Sequence, residues 1–570
     1  MELRRADFVV WYLLESKAIR LEDLRTPVRI RYEDLARVHT LPWLEKLSQA
    51  ETLGRIFAIE PWDIQADEIL TTIRLACGGT LGAARESLKK KIATLNLLGG
   101  FHHAGPDWGA GFCPVNDIAV AIAALREDGF EGQVGILDLD AHPPDGTAAC
   151  IRKDKKVWLG SISGSDWGSI EGADETLLPV KSGDEVYLPT LRSLLSRMPT
   201  LDLAFVIAGG DILAGDTLGA LGVSLEGARE RDRLVAEALG GIPSVWIPGG
   251  GYSSKAWRAL AGTGLVLAMR SMKPIPSSYD PLRARFSSIA RQIDRWELEG
   301  ENDEGFSSED LAEALGLPQR KHRRLLDFYA AEGLELGLFR YGILEHVRRL
   351  GYAPCRVEID AIDVGDRMRV LGESEGKEHL LVELVVEKQW IEEEEVLYIH
   401  WLTLQHPRGE FSESRPCLPG QQKPGLGLAR EAGEMLLQMA KRLGLAGVAL
   451  RPSWFHIAYA MRHDFRFVGP ERQGRFEAIL RDLASVSLLK LTKAMAEGRV
   501  LLDDKPYIWE ADLMVYWLQP RPPSIQKALL AEKEKVRFRL APMTATTDDA
   551  PKNALSTDTA TKDPITTGVS

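Results

Sequence analysis

VGILDLDAHPPDGT, residues 134–147, starts as an unbroken apolar run and ends in Asp138, Asp140, His142 and Asp145. Burying such groups unpaired costs several kcal/mol each. Their concentration at the end of a strand-like run therefore points to a metal site with proton-transfer partners. Upstream, LGGFHHAGPDWGAGFCPVND (98–117) sets His102 and His103 just after the run Ile92–Leu98. Downstream, Leu203–Ala208 ends in GGD with Asp211, and Ser244–Pro248 ends in GGGY with Tyr252.

Short continuous apolar runs separated by helical segments read as parallel strands buried on both faces. This predicts an α/β fold, and in open α/β sheets the ligand site lies outside the carboxyl ends of the strands. All the ionisable groups above, with Tyr252, fall on that one edge. The glycines at 99–100, 209–210 and 249–251 permit sharp turns and close backbone approach there.

GGFHHA, GFCPVND, DLDAH-PPDGT, GGDILAGD and GGGY, in this order, resemble the histone deacetylase family, including its acetylpolyamine amidohydrolase-like members. The resemblance covers roughly the first half of the chain. It implies the parallel-sheet arginase/deacetylase fold and a zinc ion held by Asp140, His142 and Asp211, with iron(II) able to use the same ligands. It further implies His103 as general base and then acid, with His102 as its electrostatic neighbour. Asp138 and Asp145 orient the two imidazoles, and Tyr252 is the oxyanion donor. Gly111, Phe112 and Leu218 are expected to line a narrow acyl-lysine tunnel, with Trp167 a candidate for the opposite wall. The two-manganese arginase branch would need more carboxylates near Asp211, and only Asp216 is offered there, so one metal is expected. Arg5 matches a family arginine beneath the metal. The chain departs from the family at Pro143–Pro144, where His or Gln followed by Gly is usual. It also starts at a helix, MELRRADFVVWYLL, so the fold's N-terminal strand is expected to be missing. His39 is expected to be structural, and Cys113 a packed small hydrophobe.

The bulk composition narrows the surroundings. The chain has 570 residues, enough for more than one domain, and a net charge of −12, which argues against nucleic acid or anionic membrane as a partner. No segment approaches the ~18 apolar residues of a membrane span, and there is no signal core. Five cysteines without a C-x-x-C pair suit a reducing cytoplasm.

The catalytic domain is expected over 1–272, followed by a linker and helical connector over 273–352, with Ser307 and Asp310 as a capping pair. From about Pro354 the pattern changes. RVEIDAI, DRMRVLG, HLLVELVVEKQWI and EVLYIHWLTLQ read as antiparallel strands with a hairpin at Gly365, and QKPGLGLAREAGEM reads as a glycine loop opening a helix. The region 353–520 resembles the α+β GNAT acyltransferase fold. Gln422, Gly425 and Gly427 match its Q-x-x-G-x-G loop, implying acetyl-CoA held by backbone N–H groups at a helix N-terminus. His400, Glu410 and Tyr459 are candidate bases. Residues 540–570, above all those from Thr544, are expected to form a disordered tail.

Together the resemblances imply a zinc-dependent deacetylase acting on acetylated lysine in a protein or peptide, or on an acetylated small amine, and the cysteines a cytoplasmic place. The alternatives are a bifunctional deacetylase/N-acetyltransferase, or a pseudo-enzyme that binds acyl-CoA or acyl-amine.

Overall fold

The computed structural model describes residues 4–61, 64–164, 168–219, 221–300, 323–412, 415–519 and 526–541. The expectations for Trp167, for the Ser307–Asp310 cap and for the tail from Thr544 lie outside these residues. The chain divides into two units, Met1–Arg285 and Phe286–Ser570.

The apolar runs of the first unit form strands β1 (Ala93–Leu95), β2 (Val134–Asp138), β3 (Val157–Gly164), β4 (Asp174–Leu178), β5 (Leu203–Ile207) and β6 (Ser244–Ile247). They make one sheet in the order β1-β6-β5-β2-β3-β4, with every pairing parallel. Every residue of β2, β5 and β6 is buried. Alternation along each strand explains how. Val134, Ile136, Leu203, Phe205, Ile207, Val245 and Ile247 pack on one face with helices Ala66–Lys90 and Asp117–Glu127. Leu137, Ala204, Val206 and Trp246 pack on the other with helices Gly183–Arg197 and Leu225–Leu239. Truncating Phe205, which has 0% exposure, to alanine would cost about 3–5 kcal/mol. Because all six strands run the same way, their carboxyl ends share one edge. The loops after β1, β2, β5 and β6 therefore deliver His102/His103, Asp138–Asp145, Asp211 and Tyr252 to one place.

In the second unit, strands β7 (Cys355–Ile362), β8 (Gly365–Ser374), β9 (Lys377–Ile391) and β10 (Glu394–Leu404) form an antiparallel meander. They continue into β11 (Gly447–Leu450), β12 (Arg466–Phe467) and β15 (Met514–Trp517), in the order β12-β15-β11-β10-β9-β8-β7. Only the β10–β11 pairing in this sheet is parallel, and β10 carries a register shift between Ile399 and Trp401. Strands β13 (Val500–Leu502), β14 (Lys505–Pro506) and β16 (Phe538–Leu540) make a separate three-stranded sheet. The part of the expected linker and connector that precedes residue 301 contains helices Pro281–Gln292 and Arg295–Glu299. Ile293 and Leu298 are buried in the core of the second unit, so the segment 293–298 is packed rather than free. The polar sequence concealed this because only one side of each short helix is apolar.

Candidate metal centre

The ligand atoms of Asp140, His142 and Asp211 lie within 4.8 Å of one another. His142 Nδ1 is 3.1 Å from Asp140 Oδ1 and 3.0 Å from Asp211 Oδ2. Both carboxylates are fully buried. Backbone amides hold them in place: Gly250 N donates to Asp140 Oδ2 at 2.6 Å, His142 N to Asp140 Oδ1 at 3.1 Å, and Ala141 N to Asp211 Oδ1 at 3.1 Å. The donation from residue 250 needs a glycine, since a Cβ there would stand 2.3 Å from Asp211 Oδ2. Two preoriented carboxylates and one imidazole form a donor set that fits a divalent catalytic ion such as zinc. Burial alone would lower the His142 pKa, but hydrogen bonds and charge from Asp140 and Asp211 outweigh it and raise it to about 10.

The adjacent histidines are set apart by their partners. His102 Nδ1 is 3.0 Å from Asp138 Oδ2, and His103 Nδ1 is 2.7 Å from Asp145 Oδ1. Burial opposes a charge on His102, yet Asp138 and then Asp140 raise its pKa to about 9. Burial and the neighbouring His102 lower that of His103, against the pull of Asp145. The surroundings thus push the two imidazoles in opposite directions, His103 toward the neutral form that a general base needs. The Pro143–Pro144 pair does not displace Asp145. Pro144 stands at the N-cap position of helix Asp145–Ile151 without a side-chain cap bond, and Asp145 N donates to the Pro143 carbonyl at 2.9 Å.

The loops that carry the site residues are fixed from behind by Asp117, by His39, which was expected to be structural, and by Arg231. Asp117 accepts from Gly100 N and from Phe101 N (2.8 Å), and also from Thr80 Oγ1 (2.6 Å). His39 is structural: Nδ1 donates to the Gly105 carbonyl at 3.0 Å and Nε2 accepts from Asn116 N at 2.9 Å. Arg231, fully buried, donates to the Gly209 carbonyl at 2.7 Å and pairs with Asp232 at 2.8 Å. The available signal for Asp117 was its place beside the helix cap Asn116, whose side chain accepts from Ala119 N.

Tyr252 and Phe112 face each other with ring centroids 5.5 Å apart. Burial, followed by the charges of Asp140 and Asp211, pushes the Tyr252 phenol above its ordinary pKa, so it is a donor at neutral pH. Gly111 has φ +52°, and a Cβ on it would lie 2.6 Å from His103 Cδ2, so glycine brings this wall against the imidazole. Leu218 is 47% exposed. Arg5 donates to the Gly249 and Gly250 carbonyls at 3.2 Å each, bracing the glycine run before Tyr252. Cys113 is buried, and that burial holds its thiol well above the ordinary pKa. Asp216 is buried but spends both oxygens on backbone amides.

Gln422, Gly425 and Gly427 are all exposed, on the loop leading into helix Ala429–Arg442, whose N-cap residue Leu428 makes no side-chain cap bond. Among the proposed bases of this unit, His400 pairs with Glu387 at 3.0 Å and Tyr459 lies under the Arg462 guanidinium at 3.8 Å. Glu410 is exposed.

Residues 1–265 match the histone deacetylase domain. The chain is 36% identical over 196 residues to an uncharacterized protein of Picosynechococcus sp., covering 31% of this chain and 62% of that one. It is 32% identical over 267 residues to histone deacetylase 2 of Arabidopsis thaliana, covering 44% of this chain and 67% of the relative. The crystal structure of a deacetylase homologue from Aquifex aeolicus aligns with a TM-score of 0.40 at 24% identity, over 46% of this chain and 77% of that one. With its Asp-His-Asp centre on the carboxyl edge of a parallel sheet and a match over the whole first unit save its last residues, the chain belongs to the histone deacetylase family.

Proposed function

We propose that the first unit is a zinc-dependent deacylase that hydrolyses the amide of an acetylated lysine, or of an acetylated small amine of similar shape. The observation that carries this reading is the convergence of Asp140, His142 and Asp211 beside two carboxylate-backed histidines. Asp140, His142 and Asp211 would hold the zinc, which supplies Lewis-acid polarisation of the amide carbonyl and acidification of water. His103, neutral and held through Nδ1 by Asp145, takes the proton of the attacking water at Nε2 and returns it to the leaving nitrogen. The carbon–nitrogen bond breaks to give acetate and a free amine. His102, held protonated by Asp138, keeps positive charge beside the developing oxyanion. Tyr252 donates its phenolic hydrogen to that oxyanion. Phe112 and Tyr252 form apolar walls suited to a slender methylene chain ending in a polar amide. The free thiols suit a reducing compartment such as the cytoplasm. Among the described residues no helix is long and apolar enough to cross a membrane.

The test is turnover of a fluorogenic acetyl-lysine peptide by metal-analysed protein, with and without a hydroxamate chelator. Chelator-sensitive release with about one zinc per chain is expected. Zinc-loaded protein that hydrolyses neither this peptide nor acetylated polyamines would sink the proposal.

A second reading concerns the other unit. The parallel β10–β11 junction beside the register shift at Ile399/Trp401, with exposed Gly425 and Gly427 ahead of a 14-residue helix, favours a GNAT-like module that takes acetyl-CoA. Under it the chain is bifunctional if transfer occurs, and carries an acyl-CoA-sensing module if only binding occurs. Calorimetric titration of the full chain with acetyl-CoA decides whether this module has its ligand. No heat at millimolar ligand would remove the reading.

A further inference from the structure

We infer that Asp216 is a positioning residue for Tyr252, an inference that rests on the deacylase reading above. Asp216 lies in the loop after Asp211 and is buried, and its carboxylate is not part of the group whose ligand atoms converge. Four backbone donors occupy it instead. Oδ1 accepts from Leu218 N at 3.1 Å and Gly219 N at 3.3 Å, and Oδ2 accepts from Tyr252 N at 2.7 Å and Ser253 N at 2.9 Å. Hydrogen bonds from N–H to an ionised acceptor are roughly twice as strong as neutral ones. These join two segments far apart in sequence, the loop after β5 and the turn after β6.

The loop is itself closed on the metal ligand. A Cβ at Gly219 would come within 2.0 Å of the Asp211 carbonyl oxygen, so residue 219 folds directly against residue 211. One carboxylate thereby ties the backbone of the oxyanion donor to the backbone of a metal ligand, and also sets Leu218. Oxyanion stabilisation requires the donor at hydrogen-bond distance from where charge develops, and a slack of about 1 Å in such support is enough to spoil it. Asn at this position keeps one acceptor oxygen but turns an NH2 toward two N–H donors, which frees one of the two segments.

The experiment is a double-mutant cycle on the zinc-loaded full chain with Asp216→Asn, Tyr252→Phe and the pair. Asp216→Asn is expected to lower kcat about 10–100-fold, with zinc content and KM close to wild type. The pair is expected to be no more than about twofold slower than Tyr252→Phe alone, because both changes remove the same interaction. Multiplying effects, or loss of zinc from Asp216→Asn, would overturn the inference. Wild-type protein without turnover counts against the deacylase reading, and the same cycle is then read as acetohydroxamate affinity. There, equal weakening in the two single variants with no further loss in the pair supports the role, and additive weakening refutes it. If Asp216→Asn fails to fold, Asp216→Ser, which leaves room for a water, carries the same cycle.

Discussion

The carboxyl edge of the first unit's sheet and the β10–β11 junction of the second are built alike in outline, each a strand, a glycine-containing turn and a following loop or helix. They differ in where the ionisable groups lie. At the first edge Asp138, Asp140 and Asp211 have no solvent exposure, and each is met by an imidazole or a backbone amide. At the second, the glycines are exposed and the candidate bases His400 and Tyr459 have partners of their own. Charge that has been desolvated must be compensated, so a buried cluster argues for a cation and a reaction. An exposed loop incurs no such penalty, and its composition alone argues for much less.

This contrast can be broken or sharpened, starting from the largest effect. Asp211→Ala removes one of the converging ligands. It should abolish zinc retention and lower deacylation by about 10³-fold or more, as read by metal analysis and turnover; retained zinc and activity would mean the buried cluster is not the centre. Tyr252→Phe should keep zinc and cost about 10²–10³-fold in kcat. Asp145→Asn should cost about 10–100-fold, since it only orients His103.

A further prediction concerns stability. Burial lowers the His39 pKa to about 4, so the folded state keeps it neutral while the unfolded chain takes up a proton near the ordinary 6.5. Stability from this group is therefore complete above about pH 6.5 and falls as pH drops toward 4, by roughly 3 kcal/mol over the window. Denaturant melts at pH 7, 5.5 and 4.5 should show a flatter profile for His39→Asn, from a lower starting stability. The smallest effect belongs to the second unit: Gly427→Ala, at φ +75°, should weaken acetyl-CoA binding only severalfold. A larger effect there would narrow the contrast between the two regions.

Much of the first unit was legible because its signals are local. Unbroken apolar runs have no solvated face, so β2, β5 and β6 could be placed as buried parallel strands, and parallel strands send their following residues to one edge. The helices of 281–299 are short, and although Leu282, Phe286, Ile289 and Ile293 recur at helical spacing, only the second unit's core gives Ile293 and Leu298 their place. Asp216 was read through its nearness to Asp211 in sequence, but the structure shows its carboxylate saturated by four amides.

By itself, then, the sequence determined which residue types reach the active edge and the parallel order that gathers them there, because burial and alternation are properties of neighbouring residues. Only the tertiary structure decided how they are held. It decided that the surroundings push the pKa of His102 up and that of His103 down, that Asp145 stands 2.7 Å from His103 beside Pro143–Pro144, and that four backbone amides donate to the Asp216 carboxylate. Those outcomes depend on hydrogen bonds and fields between segments remote in the chain, to which no local pattern responds.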